Sequence, residues 1–480
     1  FALHCCFVIL PSRMRVATFA ACAGLAGAQS AGSLKTEVHP KLDYAHCTAS
    51  GCTNHQRTVT VDANWRWTHI KGETTNCYTG NLWDEKICPD PLTCAKACEI
   101  EGADEEYEGT YGLFTDGGNS LKIQFVTEGP STTNVGARVF MLDHDEESYK
   151  LWKLKNREFT FDVDSSKLPC GLNGALYFVA MDQDGGMAKH SHNEAGAKYG
   201  TGYCDAQCPH DIKWINGVPN LKEWIPQETD ENAGFGRYGS CCVEIDIWEA
   251  NTVSQAFSLH SCNFTETQRC DGVACGDNAG DVTPEAHRFE GVCDKNGCDF
   301  ATYRLGEHNF YGYGPDFALD SRKPLTVVTQ FLTDNGQDDG KISEMRRFYL
   351  QDGKKIETPS VSLNGKQFDS INQDFCETWA DRTDDGTNFL EKGGLDAADK
   401  AYEKGMVLVL SLWDDHLANM LWLDSSYPID TRDSAMMRGT CGTDSGAPKD
   451  IEVSAANATV TFSNIRYGEI GSTTTHTVVV

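Results

Sequence analysis

Three acids fall close together in the stretch EIDIWEAN: Glu244, Asp246 and Glu249, with Trp248 among them. Two carboxyl groups flanking a glycosidic bond can cleave it, one as proton donor and the other as nucleophile or base, if their surroundings split their pKa values. A third acid beside the nucleophile can hold it and, by like-charge repulsion, keep a neighbour protonated. The spacing carries a conflict. The stretch alternates like a β-strand, which puts Glu244 and Asp246 on one face and Val243, Ile245 and Ile247 on the other. By that parity Glu249 points in with the isoleucines, where an unpartnered carboxylate is costly. Either the strand ends before Glu249, or something turns that residue back toward Glu244 and Asp246. Acids on a strand are most often a solvated face, and aromatic company elsewhere is what shifts the balance.

That company exists. Trp65 and Trp67 share one face of a strand-like run, as do Ser411 and Trp413 in VLSLW, and Trp422 follows in NMLWLDSSY. Alternate strand positions lie about 6.5–7 Å apart, a scale that matches successive sugar rings. An indole face suits the C–H face of a sugar while flanking polar groups take its hydroxyls. Trp65 beside Arg66, and Trp413 before Asp414 and Asp415, fit a cleft at least as well as a core. Other motifs carry less. DQDGG (182–186) lacks the later oxygen ligands of a calcium loop and suits a hairpin turn. HSHNE (190–194) suits a polar loop, and the chain has no G-x-S-x-G, phosphate loop or nicotinamide fingerprint. No cofactor or metal is implied.

The elements that must position these residues show a two-residue period. Strand-like runs include RTVTVDANWRW (57–67), SLKIQFVT, ARVFML, EFTFDVD, ALYFVAM, CVEIDIW, LTVVTQF, MRRFYLQ, GMVLVLSLW and ATVTFSNIRYG, separated by Gly-, Asp- and Asn-rich turns. Helices are expected only near Leu92–Ile100 and Asp396–Lys404. This pattern predicts an all-β chain, a large antiparallel β-sandwich. Two loops, IPQETDENAGFGRYGS and GDNAGDVTPEAHRFEGV, are longer than turns need to be, and cysteines bracket the second.

The 480-residue chain has 21 cysteines and a formal net charge of -29. That charge would repel phosphate, so nucleic acid and anionic membranes are poor partners, while a neutral substrate is not repelled. After Met14 the run VATFAACAGLAGA ends in a small-x-small pattern at Ala26–Ala28. Residues 1–28 are therefore expected to be a signal segment and the protein to be secreted; the apolar run is too short for an anchor. Removing Cys5, Cys6 and Cys22 leaves 18 cysteines, up to nine disulfides. Zinc at Cys204, Cys208, Cys241 and Cys242 is the alternative for those four. Asn263 and Asn457 head N-x-T sequons compatible with glycosylation.

The segments CCVEIDIWEAN, DANWRWTH, LPCGLNGALYF, AGAKYGTGYCDAQCP, SLWDDHLANMLWLDSSYP and TFSNIRYGEIGS closely resemble glycoside hydrolase family 7, in order from about Gln29 to Ser472. The resemblance implies a curved antiparallel β-sandwich of concanavalin-like jelly-roll form, with a cellulose-binding groove on its concave face and long loops roofing it into a tunnel. It implies one catalytic domain over 29–480, a monomer with no linker or carbohydrate-binding module, and retaining hydrolysis of β-1,4-glucan. Glu244 would be the nucleophile, Glu249 the acid/base and Asp246 the assisting acid, with His260 beside them. Trp65, Trp67, Trp413 and Trp422 match sugar platforms. Arg138, Asn173, Tyr177, Tyr203, Asp205, Gln207, Lys213 and Ser411 match the substrate side. Arg288, Asp299, Arg304, Tyr427 and Arg438 match the product side.

Retention of both long loops favours processive release of cellobiose from reducing ends of cellulose or cello-oligosaccharides; an endoglucanase of the same family, or a non-catalytic glucan-binding lectin, are the alternatives. His416 and Leu417 stand where tyrosines are usual, Pro284 replaces a loop tyrosine, and Asn296 replaces an aspartate. Gly32 and Glu99 replace a cysteine pair, which leaves nine disulfides rather than ten. If all three acids serve one bond, a β-bulge near Trp248 must turn Glu249 onto the face of Glu244.

Overall fold

A computed structural model describes residues 29–276, 287–383 and 389–474. The expected signal segment and Pro284 lie outside the described residues. The strands that matter for the site are β1 (Tyr44–Thr48), β2 (Gly51–His55), β3 (Val59–Val61), β4 (Ala137–Met141), β5 (Arg157–Asp164), β6 (Leu172–Val179), β7 (Glu244–Ala250), β8 (Gln255–His260), β9 (Cys298–Asp299), β10 (Leu325–Thr333), β11 (Ile342–Gln351), β12 (Lys354–Glu357), β13 (Met406–Asp414) and β14 (Thr459–Gly468). They form two large sheets. One runs β9-β8-β7-β6-β13-β4-β3, and the other β2-β1-β14-β5-β10-β11-β12. Pairing is antiparallel along both paths except where β1 meets β14 in parallel. The molecule is the expected β-sandwich.

Alternation builds the core between the sheets. Phe178 of β6 meets Phe159 of β5 across the gap, ring centroids 5.1 Å apart and nearly perpendicular, and Trp152 packs edge-on against both. β6 and β13 are buried along nearly their whole length, on both faces. A strand covered on one face only by the opposing sheet needs other cover on its second face, and that cover comes from long loops.

Helices are few. α1 (Pro91–Ala97) starts one residue earlier than expected, with Asp90 accepting from the backbone N–H groups of Leu92 and Thr93. It also ends earlier, because Cys98–Ile100 forms a strand that pairs with Thr68–Ile70. α2 (Gln373–Thr383) was not anticipated; its buried Phe375, Cys376 and Trp379 form a helical face. α3 (Gly394–Lys404) matches the second expectation. The run 57–67 is also shorter as a strand than expected. β3 stops at Val61, and Asp62 accepts from Asn64 N–H and Trp65 N–H, which turns the chain. Trp65 and Trp67 therefore stand on a turn and its exit, not on one strand face.

All 18 cysteines from Cys47 onward are paired, as 47–52, 77–98, 88–94, 170–441, 204–242, 208–241, 262–293, 270–275 and 298–376. The four cysteines weighed as zinc ligands are two of these bridges. Where a tenth pair would sit, hydrogen bonds take over: Ser33 donates from both N and Oγ to Glu99, at 3.2 and 2.8 Å. A Cβ on Gly32 would lie 2.5 Å from the Glu101 Cα, so the N-terminal segment packs too closely here for a cysteine.

Candidate active site

The conflict in EIDIWEAN resolves in the register of β7. Glu244, Asp246 and Glu249 pair with His260, Ser258 and Ala256 of β8, and on the other side with Val179, Tyr177 and Ala175 of β6. Both partner series step by two, so both lie on one face. Between Asp246 and Glu249 β7 carries one residue more than either neighbour. The expected β-bulge is there, at Ile247–Trp248, and it turns Glu249 onto the face of the other acids. Trp248 goes the opposite way, fully buried and edge-on to Tyr311 at 5.9 Å. Register extends the acid face sideways: Trp413 opposes Asn173, Ser411 opposes Ala175 and Arg138, and Asp299 opposes Ser258. One face of the sheet thus carries Arg138, Ser411, Trp413, Asn173, Tyr177, the three acids, Ser258, His260 and Asp299.

Each acid has its own holder. Ala206 N–H donates to Glu244 at 2.9 Å. The loop carrying Ala206 is pinned there because Cys204 and Cys208 are bonded to Cys242 and Cys241, the residues just before β7. Asp246 accepts from Ser258 Oγ at 3.2 Å and lies 3.1 Å from His260 Nε2, while His260 Nδ1 donates to the Asp294 carbonyl at 3.0 Å. Asn173 donates to Glu249 at 3.0 Å and, through its carbonyl, accepts Ala250 N–H at 3.0 Å.

Burial and crowding set the protons. Burial, and then the Asp246 charge, push Glu249 up to about 8. Burial, Asp246 and Asp205 also push Glu244 upward, opposed by the His260 imidazolium and the Ala206 amide. Burial works against the His260 cation, but its hydrogen bond and charge contact with Asp246 prevail and raise it to about 10. The site therefore combines a fixed cation, a carboxylate it neutralises, and a neighbouring carboxyl that keeps its proton near neutral pH. Such groups titrate together.

The remaining expected residues fall into three groups. Beside Glu244, Tyr177 and Tyr203 share a hydrogen bond of 2.8 Å, Tyr203 donates to Asp205 at 2.6 Å, and Arg138 lies 3.3 Å over the Tyr203 ring while its Nε donates to Asp62 at 2.7 Å. Gln207 donates to the Lys295 carbonyl at 2.8 Å. Lys213, pulled down to about 8 by burial against Asp62 and Asp211, stands 4.8 Å over Tyr78. Toward one end, Trp65 donates to the Gly136 carbonyl at 3.1 Å, and the Trp67 ring lies tilted against His69, centroids 4.0 Å apart. Trp413 and Trp422 lie near-parallel, 6.1 Å apart, with Trp422 donating to Asp415.

Toward the other end, Arg304 and Trp379 both donate to Asp299, at 2.7 and 2.9 Å, and the guanidinium lies 4.8 Å from the Trp379 ring. Arg288 donates to Asn296 at 2.6 Å, so the substituted asparagine still serves that arginine. Tyr427 and Arg438 sit on one paired loop, where Tyr427 N–H donates to Met436 O and Arg438 N–H to Ser425 O. Above the groove wall, His416 donates from Nδ1 to the Thr229 carbonyl at 2.9 Å and faces Asp230, Asp414 and Glu452, whereas Leu417 is 73% exposed.

Sequence reasoning missed Ala206, Ser258, Asp294 and Trp379. Ser258 has the parity of His260 and was legible. The others arrive by backbone contact, or on a helix that was not anticipated.

Comparison with known proteins places this geometry. The model for Glycosyl hydrolase family 7 matches residues 31–474. A GH7 family cellobiohydrolase from Daphnia pulex superposes with a TM-score of 0.89 at 50% identity, covering 92% of this chain and 99% of that one. A cellobiohydrolase from Melanocarpus albomyces complexed with cellotetraose gives 0.85 at 43%, covering 92% and 99%. The Humicola insolens endocellulase EGI gives 0.76 at 37%, covering 92% and 100%. With a family model spanning nearly every described residue, and relatives this similar over their full length, the chain belongs to glycosyl hydrolase family 7.

Proposed function

We propose that this chain is a secreted cellulase that hydrolyses β-1,4-glucosidic bonds with retention, releasing cellobiose processively from reducing chain ends as a monomer. One observation carries the chemistry: the bulge sets Glu249 on the face of Glu244 and Asp246 while its surroundings keep it protonated. Glu249 donates its proton to the leaving glycosidic oxygen as Glu244 attacks the anomeric carbon, giving a covalent glycosyl-enzyme. Glu244 attacks as its carboxylate, steadied by the Ala206 N–H, and loses its charge as the ester forms, while the charge passes to Glu249 as the leaving hydroxyl takes the proton. Burial keeps the proton on Glu249, and the charge of Asp246, held by Ser258 and His260, adds to it. Once that proton is gone, Glu249 takes one from the incoming water, which releases the sugar with its original configuration.

Cello-oligosaccharide would run from Trp65 and Trp67 past the acids to Asp299, Arg304, Arg288, Tyr427 and Arg438. The higher identity to the cellobiohydrolases than to the endocellulase supports exo action. So does the tie from His416 to the loop at Thr229, which favours a roofed groove. Nine disulfides and the exposed sequon residues Asn263 and Asn457 support an oxidising, secretory route. Proton NMR of the first product settles the stereochemistry: β-cellobiose is expected, and an α first product overturns the scheme. Glu244→Gln is expected to cut kcat on an aryl cellobioside by about 10³-fold or more while cello-oligosaccharide binding survives. Sugar released, set against viscosity lost on soluble carboxymethylcellulose, separates exo from endo action.

A further inference from the structure

An extra residue in a strand leaves backbone groups off the ladder, and a buried carbonyl without a partner is costly. At the β7 bulge the Ile247 carbonyl is served from the opposite sheet, by the Nη2 of Arg347 on β11. Arg347 opposes Thr329 in the β10–β11 ladder, which turns it into the sandwich, and the Thr329 hydroxyl accepts from the same Nη2 at 3.3 Å. The guanidinium lies 3.9 Å from the ring of Phe257, the core-facing residue of β8 between Ala256 and Ser258. It thus sits directly behind the pairs that oppose Glu249 and Asp246.

This is an expensive place for a cation. Arg347 is 1% exposed, its Nε and Nη1 lack a well-aligned hydrogen bond, Tyr349 is the polar neighbour that supports its charge, and it forms no ion pair among the described residues. Burial pulls it down to about 10, which leaves it charged at neutral pH. A core filled for stability alone favours an apolar side chain here. What the arginine uniquely provides is a long, planar donor that crosses the sandwich to one peptide group.

We propose that Arg347 is a positioning residue for the reaction: a cross-sheet clamp on the Ile247 peptide that holds the β7 bulge and so keeps Glu249 on the face of Asp246 and Glu244. It touches no substrate; it acts through the register of the strand. The inference rests on the catalytic reading of Glu244 and Glu249, and deepens it.

The test uses the full enzyme on an aryl cellobioside, with wild type, Arg347→Met and Arg347→Lys followed by kcat, KM, the pH profile of kcat and thermal melting. Misplacement on the scale of an ångström costs about 10²-fold in rate. Arg347→Met is therefore expected to lose about that much kcat with KM little changed. Its alkaline limb should shift, since the burial of Glu249 and then its distance from Asp246 set its proton affinity. Arg347→Lys, which keeps a donor and a charge, should recover part of both. A folded Arg347→Met with wild-type kcat and alkaline limb overturns the clamp. So does a loss that only follows the unfolded fraction in both variants. If Arg347→Met does not fold, Arg347→Lys decides alone: a displaced limb at preserved KM supports the clamp, and an unmoved limb overturns it. A folded wild type without turnover would take down the catalytic reading, and the clamp with it; wild-type turnover with an indifferent Arg347→Met removes the clamp only.

Discussion

At the scale of single residues, the site trades stability for chemistry at Glu249. Its carboxyl sits near 8 in the fold and near the ordinary glutamate value in the unfolded chain. Below that ordinary value it is protonated in both states and costs nothing. As pH rises toward 8 the unfolded chain ionises first, so folding loses ground progressively. Glu249→Gln is thus expected to raise the melting point at neutral pH, by the equivalent of about 1–2 kcal/mol for a half-buried group, and to bring no gain near about pH 4. Differential scanning calorimetry at the two pH values checks the sign. On the proposed mechanism the same shift places the alkaline limb of kcat/KM near 8, because that scheme needs the proton that Glu249 loses there. That the three acids share one face was legible from their spacing and tryptophan company; the roles proposed for them rest on the family resemblance. Arg347 was half legible. Its parity with Met345 and Tyr349 in MRRFYLQ pointed it inward, but charge argued the other way, and no local signal names a carbonyl on another sheet as its partner.

At the scale of elements, length decided what the sequence could tell. Long runs such as β5, β6, β10, β13 and β14 are where expected, because burying at least one face over eight or more residues outweighs local preference. Short pieces were misplaced: the strand through Trp65 and Trp67 is a turn, and α2 was overlooked behind its β-formers. The bulge was legible as a contradiction rather than as a motif, since a carboxylate among isoleucines demanded a remedy. Deleting Ile247 takes out the extra residue and leaves Glu249 two positions after Asp246, still opposite Ala256, so the acid should stay on its face; a smaller loss of kcat than Glu249→Gln suffers is the expected outcome. The loop around Thr229 is held in another way. His416 is raised to about 9, with burial opposed by Glu452, Asp230 and Asp414. The charged part of its grip, toward Asp230, Asp414 and Glu452, is complete below the ordinary histidine value and is lost as pH climbs through 9, while the neutral ring can keep its Nδ1 bond to Thr229. His416→Ala should speed amide hydrogen exchange across 227–233 by about tenfold at neutral pH, and the gap to wild type should narrow above about pH 9 once intrinsic exchange is corrected for.

At the scale of the whole molecule, the sandwich is a frame whose ends are fastened by sulfur. The parity of the cysteines gave the number of bridges but not their partners, because pairing depends on which loops fold over which strand ends. Seven of the nine bridges close spans of 38 residues or fewer, while Cys170–Cys441 spans 271 and Cys298–Cys376 spans 78. The longest bridge joins the start of β6 to the loop past Asp424, whose carboxylate accepts from Gly171 N–H and Asn251. Replacing Cys170 and Cys441 together with serine should cost about 2–5 kcal/mol, read as a fall in the denaturant midpoint.

That same span sets an order of manufacture. During synthesis from the N-terminus, the bridges at 47–52, 77–98 and 88–94 can each close within a few dozen residues of their first thiol. Cys170 must travel unpaired while the segments bearing all three acids, the bulge and the clamp are made, and Cys204, Cys208, Cys241 and Cys242 emerge before its partner does. A host lacking an enzyme that reshuffles disulfides will therefore trap Cys170 with one of these neighbours, and the yield of active protein should rise with isomerase supply more than with oxidant.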